Sequence, residues 1–272
     1  MVRSLWTAAT GMIAQQTNVD NIANNLSNVN TVGYKTQVNE FKSLLYQTLQ
    51  TKTTSANGAQ KPTSAQVGLG VRNASMTTIF TDGSMTASES NTAFAITGNG
   101  FFAVKGEDGN TYYTRNGNFL WTRADNGGMM LADTDGRPVQ DSTGKSIILD
   151  KKYETSKISV TSRGEICYPD EKNNPQPLGI NIGIYQFSNP GGLEKRGSTL
   201  YQQTAASGEP INEATSTTVN KSSIWQNFLE ASNVQVVDEM VNMIVAQRAY
   251  EMNSKAITAS DEMLQQANNL RR

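Results

Sequence analysis

Residues 5–29 read LWTAATGMIAQQTNVDNIANNLSNV. Leu5, Met12, Val19 and Leu26 recur every seven positions, and Ala8, Gln15, Ile22 and Val29 each follow three later. This is the a/d signature of a helix that pairs with another helix. The stripe is thin, and Gln15 interrupts it. At 1.5 Å per residue the helix spans on the order of 40 Å. It is expected to stop between Asn30 and Gly33, where Asn-Thr-Val-Gly breaks the period.

The far end of the chain carries a second copy of the pattern. Val236, Met243, Tyr250, Ile257 and Leu264 are spaced by sevens, with Glu239, Ala246, Asn253, Ser260 and Ala267 in the companion positions. Ala249, Ala256, Met263 and Leu270 widen the apolar face, and neither Gly nor Pro occurs between Val234 and Arg272. Between the two helices the period drops to two: Val67, Leu69 and Val71, and again Ile180, Ile182 and Ile184. Further strands are expected at Phe101–Val104, Tyr112–Thr114, Phe119–Thr122, Met129–Ala132, Ile147–Leu149 and Lys157–Val160. Asp108-Gly109, Asn116-Gly117, Asn126-Gly127, Asp135-Gly136, Arg163-Gly164 and Pro190-Gly191 separate them as turns. The expected fold class is α+β: terminal helices forming a coiled-coil domain (1–33 with 233–272), and a central antiparallel β-rich domain (67–232) inserted between them. Residues 34–66 are expected to be a connecting segment that leads into a polar, aperiodic arm from Gln50 to Gln66.

Composition narrows the function. The chain has 272 residues, 23 basic against 24 acidic, so no field draws it to nucleic acid or to an anionic membrane. There is no histidine and one cysteine, Cys167, which removes His-dependent triads, intramolecular disulfides and cysteine-built zinc sites. No apolar run reaches the roughly 18 residues of a membrane span, and the first ten residues lack the apolar core of a cleaved signal. Asp133-Thr134-Asp135-Gly136 opens like a calcium loop, but Gly144 stands where the twelfth-position acid belongs, so it reads as a turn. Gly68-Leu69-Gly70 and Gly98-Asn99-Gly100 open no helix and read as turns or bulges. Scattered carboxylates in the middle show no spacing that marks a glycosidase pair, and no cofactor or metal site is expected. A peptidoglycan-cleaving hydrolase is the rival reading from another functional class.

Each buried Leu, Ile or Met contributes roughly 1.5–3 kcal/mol, whereas ordering each residue costs about 1–2 kcal/mol of backbone entropy. A lone helix pair this sparse in apolar residues is marginal. Heptads mark pairing without saying who pairs, so an intramolecular coiled coil and an assembly of many copies both fit. Placement at the two extremes of the chain favours ends that gain order as copies stack.

Several long motifs resemble the flagellar rod and hook protein family. Ser4 to Met12 and Ala23-Asn24-Asn25-Leu26-Ser27-Asn28-Val29-Asn30-Thr31-Val32-Gly33-Tyr34-Lys35 are similar to its N-terminal signature. Glu239 to Ile244, Gln247 to Glu251 and Asn253 to Ala256 resemble its C-terminal helix, and Gly98 to Phe102 and Tyr113 to Phe119 its β-domain motifs. Leu44 to Gln50 followed by the polar arm is closest to the distal-rod branch, with proximal rod or hook as the alternative. The resemblance implies a non-enzymatic subunit exported unfolded through the flagellar export apparatus without signal cleavage. It further implies a helical homopolymer in the periplasm, transmitting torque from motor to hook. Implied partners are copies of itself, proximal rod proteins, the hook protein, and the peptidoglycan and outer-membrane ring proteins. Tyr46, Gln47, Lys52, Lys61 and Pro62 of the arm are expected to touch neighbouring subunits.

Overall fold

A computed structural model describes residues 2–50, 65–124, 127–170 and 174–270. They fall into two compact units, one helical and one β-rich. The helical unit draws on Met1–Ser27, Gln37–Thr77 and Gln235–Arg272; the β unit draws on Asn28–Thr36 and Thr78–Val234.

In the helical unit α1 (Val2–Ser27) and α2 (Val236–Asn269) lie side by side. Asn25 meets Glu239, Gly11 meets Asn253 and Ser4 meets Ser260, so the two helices run antiparallel. The rest of the unit is two short ribbons. Gln37–Ser43 pairs with Val71–Thr78, and Tyr46–Gln50 pairs antiparallel with Ala65–Gly68. The alternating run at 67–71 is therefore not one strand: it breaks at Leu69-Gly70, where the Leu44 N–H bonds to the Gly70 carbonyl. The first half of the expected connecting segment is likewise paired strand, with the half-buried Gln37 and Asn39 bonded to α1 and Val38 and Glu40 exposed between and beyond them. Lys52, Lys61 and Pro62 lie outside the described residues.

α1 ends at Ser27, so Val29 does not extend the heptad as expected. The chain turns instead: the Thr31 N–H bonds to the Asn28 carbonyl, the Thr31 hydroxyl donates to Asn28 Oδ1, and the Tyr34 N–H bonds to the Thr31 carbonyl. Asn and Thr side chains offer the backbone partners that compete with a further helical turn.

The β unit is built on a six-stranded sheet ordered Glu194–Gly197, Leu200–Gln202, Thr111–Thr114, Phe101–Lys105, Ile184–Gln186, Ile211–Asn212. Successive side chains of a strand point to opposite faces, and here both faces are covered. Phe102 and Val104 enter a large core with Phe94, Phe119, Leu131, Ile147, Ile166 and Ile224. Phe101 and Ala103 enter a smaller aromatic core with Tyr113, Phe187 and Tyr201. In that second core Tyr113 and Phe187 meet edge to face at 4.8 Å. Burial of Tyr113 pushes its phenol up to about 12, so it stays neutral. One sheet edge, Glu194–Gly197, is charged and exposed throughout, which leaves it a poor template for another strand.

Two ribbons close the unit by joining its beginning to its end. Ser223–Gln226 pairs with Phe94–Thr97, and Phe228–Glu230 pairs with Met85–Ala87, so Phe228 faces Ala87.

Candidate assembly surface

The seam between α1 and α2 is small and polar. Ser4, Gly11 and Asn25 on one helix face Ser260, Asn253 and Glu239 on the other, each set spaced by sevens or fourteens. The buried residues of α2 are Glu239, Ala246 and Ser260, all companion positions of the heptad. Gly11 permits the close approach: a Cβ there would sit 2.8 Å from Asn253 Nδ2. The larger residues expected at the centre are displaced to the flanks. Of the expected stripe on α1 Ala8 and Ile22 are buried, while Leu5, Met12, Val19 and Leu26 are half-buried. On α2, Met243, Ile257 and Leu264 are half-buried, and Val236 and Tyr250 are exposed. An open hollow of about 390 Å³ lies between the helices, lined by Gln16, Val19, Gln247, Tyr250 and Glu251.

Many of the large apolar residues of the pair face outward. Val237 is 73% exposed and Val245 62%; Met240, Val241, Ile244 and Met252 accompany them on α2. On α1, Trp6 and Ile13 are two-thirds exposed. The adjoining ribbons add exposed Leu45, Tyr46 and Leu49, with polar Gln47 beside them. Polar water-facing residues with an apolar seam is the pattern of a self-contained pair; here small and polar residues line the seam, and large apolar side chains stand outside it among charged ones such as Arg248 and Glu251.

Asparagines hold α1 to the neighbouring strand. Asn25 Nδ2 donates to the Gln37 carbonyl at 2.9 Å, and Asn25 Oδ1 accepts from the Gln37 N–H at 3.0 Å, so one side chain imitates a β-bridge. Asn21 donates to the same carbonyl, and Asn39 donates to the Thr17 carbonyl. Asn25 also donates to Glu239 at 3.3 Å. Burial pushes the Glu239 carboxyl above its ordinary range, partly opposed by the Asn25 hydrogen bond and assisted by Asp238.

From Asn28 onward the N-terminal motif belongs to the β unit, whereas Asn24 lies on α1. Asn28 and Thr31 make the turn, Tyr34 is half-buried and Gly33 takes a φ of +69°. Lys35 is fully buried: Nζ is 2.6 Å from Glu230 Oε1 and donates to the Thr81 carbonyl. Arg115, also fully buried, stands 3.5 Å from both Glu230 and Asp82 and lies over the Phe101 ring at 5.0 Å. Burial pulls the Lys35 ammonium below its usual value, and Glu230 partly restores it. Asn233 Oδ1 accepts from the Thr36 N–H and hydroxyl, and Nδ2 donates to the Ile79 carbonyl and the Thr81 hydroxyl. Glu230 and Asn233 were not among the residues singled out from sequence.

Asp133-Thr134-Asp135-Gly136 is a turn closed by the Gly136 N–H on the Asp133 carbonyl, and Arg137 pairs with both carboxylates. Cys167 is buried on a strand, where burial pushes its thiol up.

Comparison with known proteins accounts for this layout. The family model described as "Flagella basal body rod protein" matches residues 5–35, covering α1 and its turn. "Flagellar hook protein FlgE/F/G D1 domain" matches 95–168 in the β unit, and "Flagellar basal body rod FlgEFG protein C-terminal" matches 226–270. The flagellar basal-body rod protein FlgG of Borreliella burgdorferi is 43% identical over 274 residues, with 100% of both chains covered. The proteins of the same name from Caulobacter vibrioides and Bacillus subtilis are 39% and 36% identical, with at least 99% of each chain covered. A structural family is thereby reached through both terminal helices, the intervening sheets and the full-length relatives: the chain belongs to the flagellar basal-body rod protein family.

Proposed function

We propose that this chain is the building block of the distal rod of the bacterial flagellar basal body, polymerising into a hollow drive shaft that carries torque from motor to hook. The observation that carries the reading is the set of exposed Val, Ile and Met side chains on a helix pair whose seam is built of small and polar residues. Burying each outward Val, Ile or Met against a neighbouring copy contributes roughly 1.5–3 kcal/mol. The proposed assembly residues are the heptad positions on both helices together with Val241, Ile244 and Val245, and the helices act as a coiled-coil layer once copies meet. Tyr46 and Gln47, with the arm that follows, supply lateral contacts. Proximal rod proteins and the hook protein cap the two ends of the tube, and ring proteins surround it in the periplasm. The chain reaches that place through the flagellar export apparatus, without cleavage of a signal peptide.

The test replaces Val241 and Ile244 together with Asp and follows polymer formation by sedimentation and electron microscopy. Loss of tubes with an unchanged monomer circular dichroism spectrum is expected. Tubes of ordinary length from the double variant overturn the reading.

A further inference from the structure

The chain passes between the β unit and the helical unit at residues 27–28, 36–37, 77–78 and 234–235. Thr36, Ile79 and Asn233, each within two residues of a crossing, are tied together inside the β unit. Asn233 binds Thr36 and Ile79 at 2.8 and 3.0 Å, and the Ile79 N–H bonds to the Thr36 carbonyl at 2.9 Å. Beneath this knot lies the ion cluster. Lys35 and Arg115 are both fully buried, and Glu230 is the fully buried carboxylate that faces them; Asp82 is 41% exposed at the side chain. Glu230 Oε1 also accepts from the Gly83 N–H, and its own carbonyl accepts from the Gly33 N–H. One carboxylate thus binds all three segments.

Such a cluster adds little net cohesion compared with apolar packing, but loss of one member leaves like charges buried without compensation. The two apolar cores take few contacts from this region: the Phe101 ring lies under Arg115, and Phe80 packs edge to face on Phe101 and Tyr201. We propose that residues 33–36, 79–84 and 230–233 form a strap that opens and closes as one body, lifting Phe80 from the rim of the aromatic core while the sheets stay paired, with Glu230 as its latch. A strap of this kind sets whether the chain crossings leave the β unit from one fixed place or swing independently. The proposal stands apart from the assembly reading, because it concerns a single copy.

Hydrogen exchange read by mass spectrometry on the full chain tests it, comparing the native sequence with Glu230→Gln. In the native chain the strap amides should exchange at least about tenfold faster than those of Phe101–Lys105 and Thr111–Thr114. In Glu230→Gln the strap should exchange about a hundredfold faster still, while those two strands keep their protection. Strap and sheet exchanging in step, or a strap unchanged by the substitution, overturns the proposal. Should Glu230→Gln fail to fold, Lys35→Met combined with Glu230→Gln removes one of the uncompensated cations. An exposed strap on protected sheets in that double variant supports the latch, and a second failure to fold assigns the cluster to the core and overturns it.

Discussion

Glu239 sits in the helix seam with Asn25 as its hydrogen-bond donor and Asp238 as a like-charged neighbour. Burial favours its neutral form, so the folded chain holds this proton more tightly than the unfolded chain. The sign follows from linkage: the stabilisation is fully present below the ordinary glutamate range and is lost as pH rises through the raised value. Urea unfolding of the helices, followed at 222 nm, should therefore show a midpoint that climbs as pH drops from neutral into the carboxylate range. Glu239→Gln keeps an acceptor for Asn25 and should flatten that slope while matching or exceeding native stability at pH 7. Gly33 offers a second residue-scale test. Its φ of +69° lies in the left-handed region, and a Cβ would come within 2.5 Å of the Asn116 nitrogen. Gly33→Ala should cost about 2–3 kcal/mol in denaturant unfolding of the β unit.

At the scale of elements, the hinge of the helical unit's packing is a side chain that behaves like backbone. Asn25→Ala takes the Asn25 acceptor from the Gln37 N–H, leaves the Gln37 carbonyl with Asn21 in place of two amide donors, and removes the Asn25 donor from Glu239. Destabilisation of about 2–4 kcal/mol is expected from equilibrium unfolding. Sequence showed that Asn25 belongs to a motif but not what it binds, because its partner is a strand that no alternation announced. The heptads were legible as helices. The face that pairs was not, since sevens occur on the apolar line and on the small polar line alike, and the choice turns on how close Gly11 lets the helices come. In the β unit the Phe- and Tyr-rich strands were legible from residue type and turn spacing, whereas the alternating Ile180 and Ile184 are divided between Pro175–Asn181 and Ile184–Gln186, strands of two different sheets, with Ile182 between them. Short strands such as Met85–Ala87 and Phe228–Glu230 were not, because three residues carry no period and their pairing is tertiary. The same distance in sequence hid the Lys35–Glu230 pair: each residue, read alone, is an ordinary surface charge.

At the scale of the whole molecule, association through outward valines, isoleucines and methionines has a thermodynamic signature. With 23 basic and 24 acidic residues the chain carries almost no net charge to oppose or drive stacking. Polymerisation should strengthen on warming from about 5 to 25 °C, as apolar burial does. It should weaken only slightly when salt is raised to about 0.5 M, where exposed ion pairs are screened. Light scattering across temperature and ionic strength checks both. A salt-dissolved, cold-favoured polymer would point to ion pairs as the cohesive force instead.

The ribbon that sets Phe228 against Ala87 has a kinetic corollary. Residues 88–227 must be looped out before those partners meet, and such an encounter forfeits chain freedom long before contacts repay it. A chain delivered from its amino end therefore carries an unfinished barrier to collapse until almost all of it is present. Maturation is then timed by arrival of the final strand, on the scale of milliseconds to seconds that non-local sheets share.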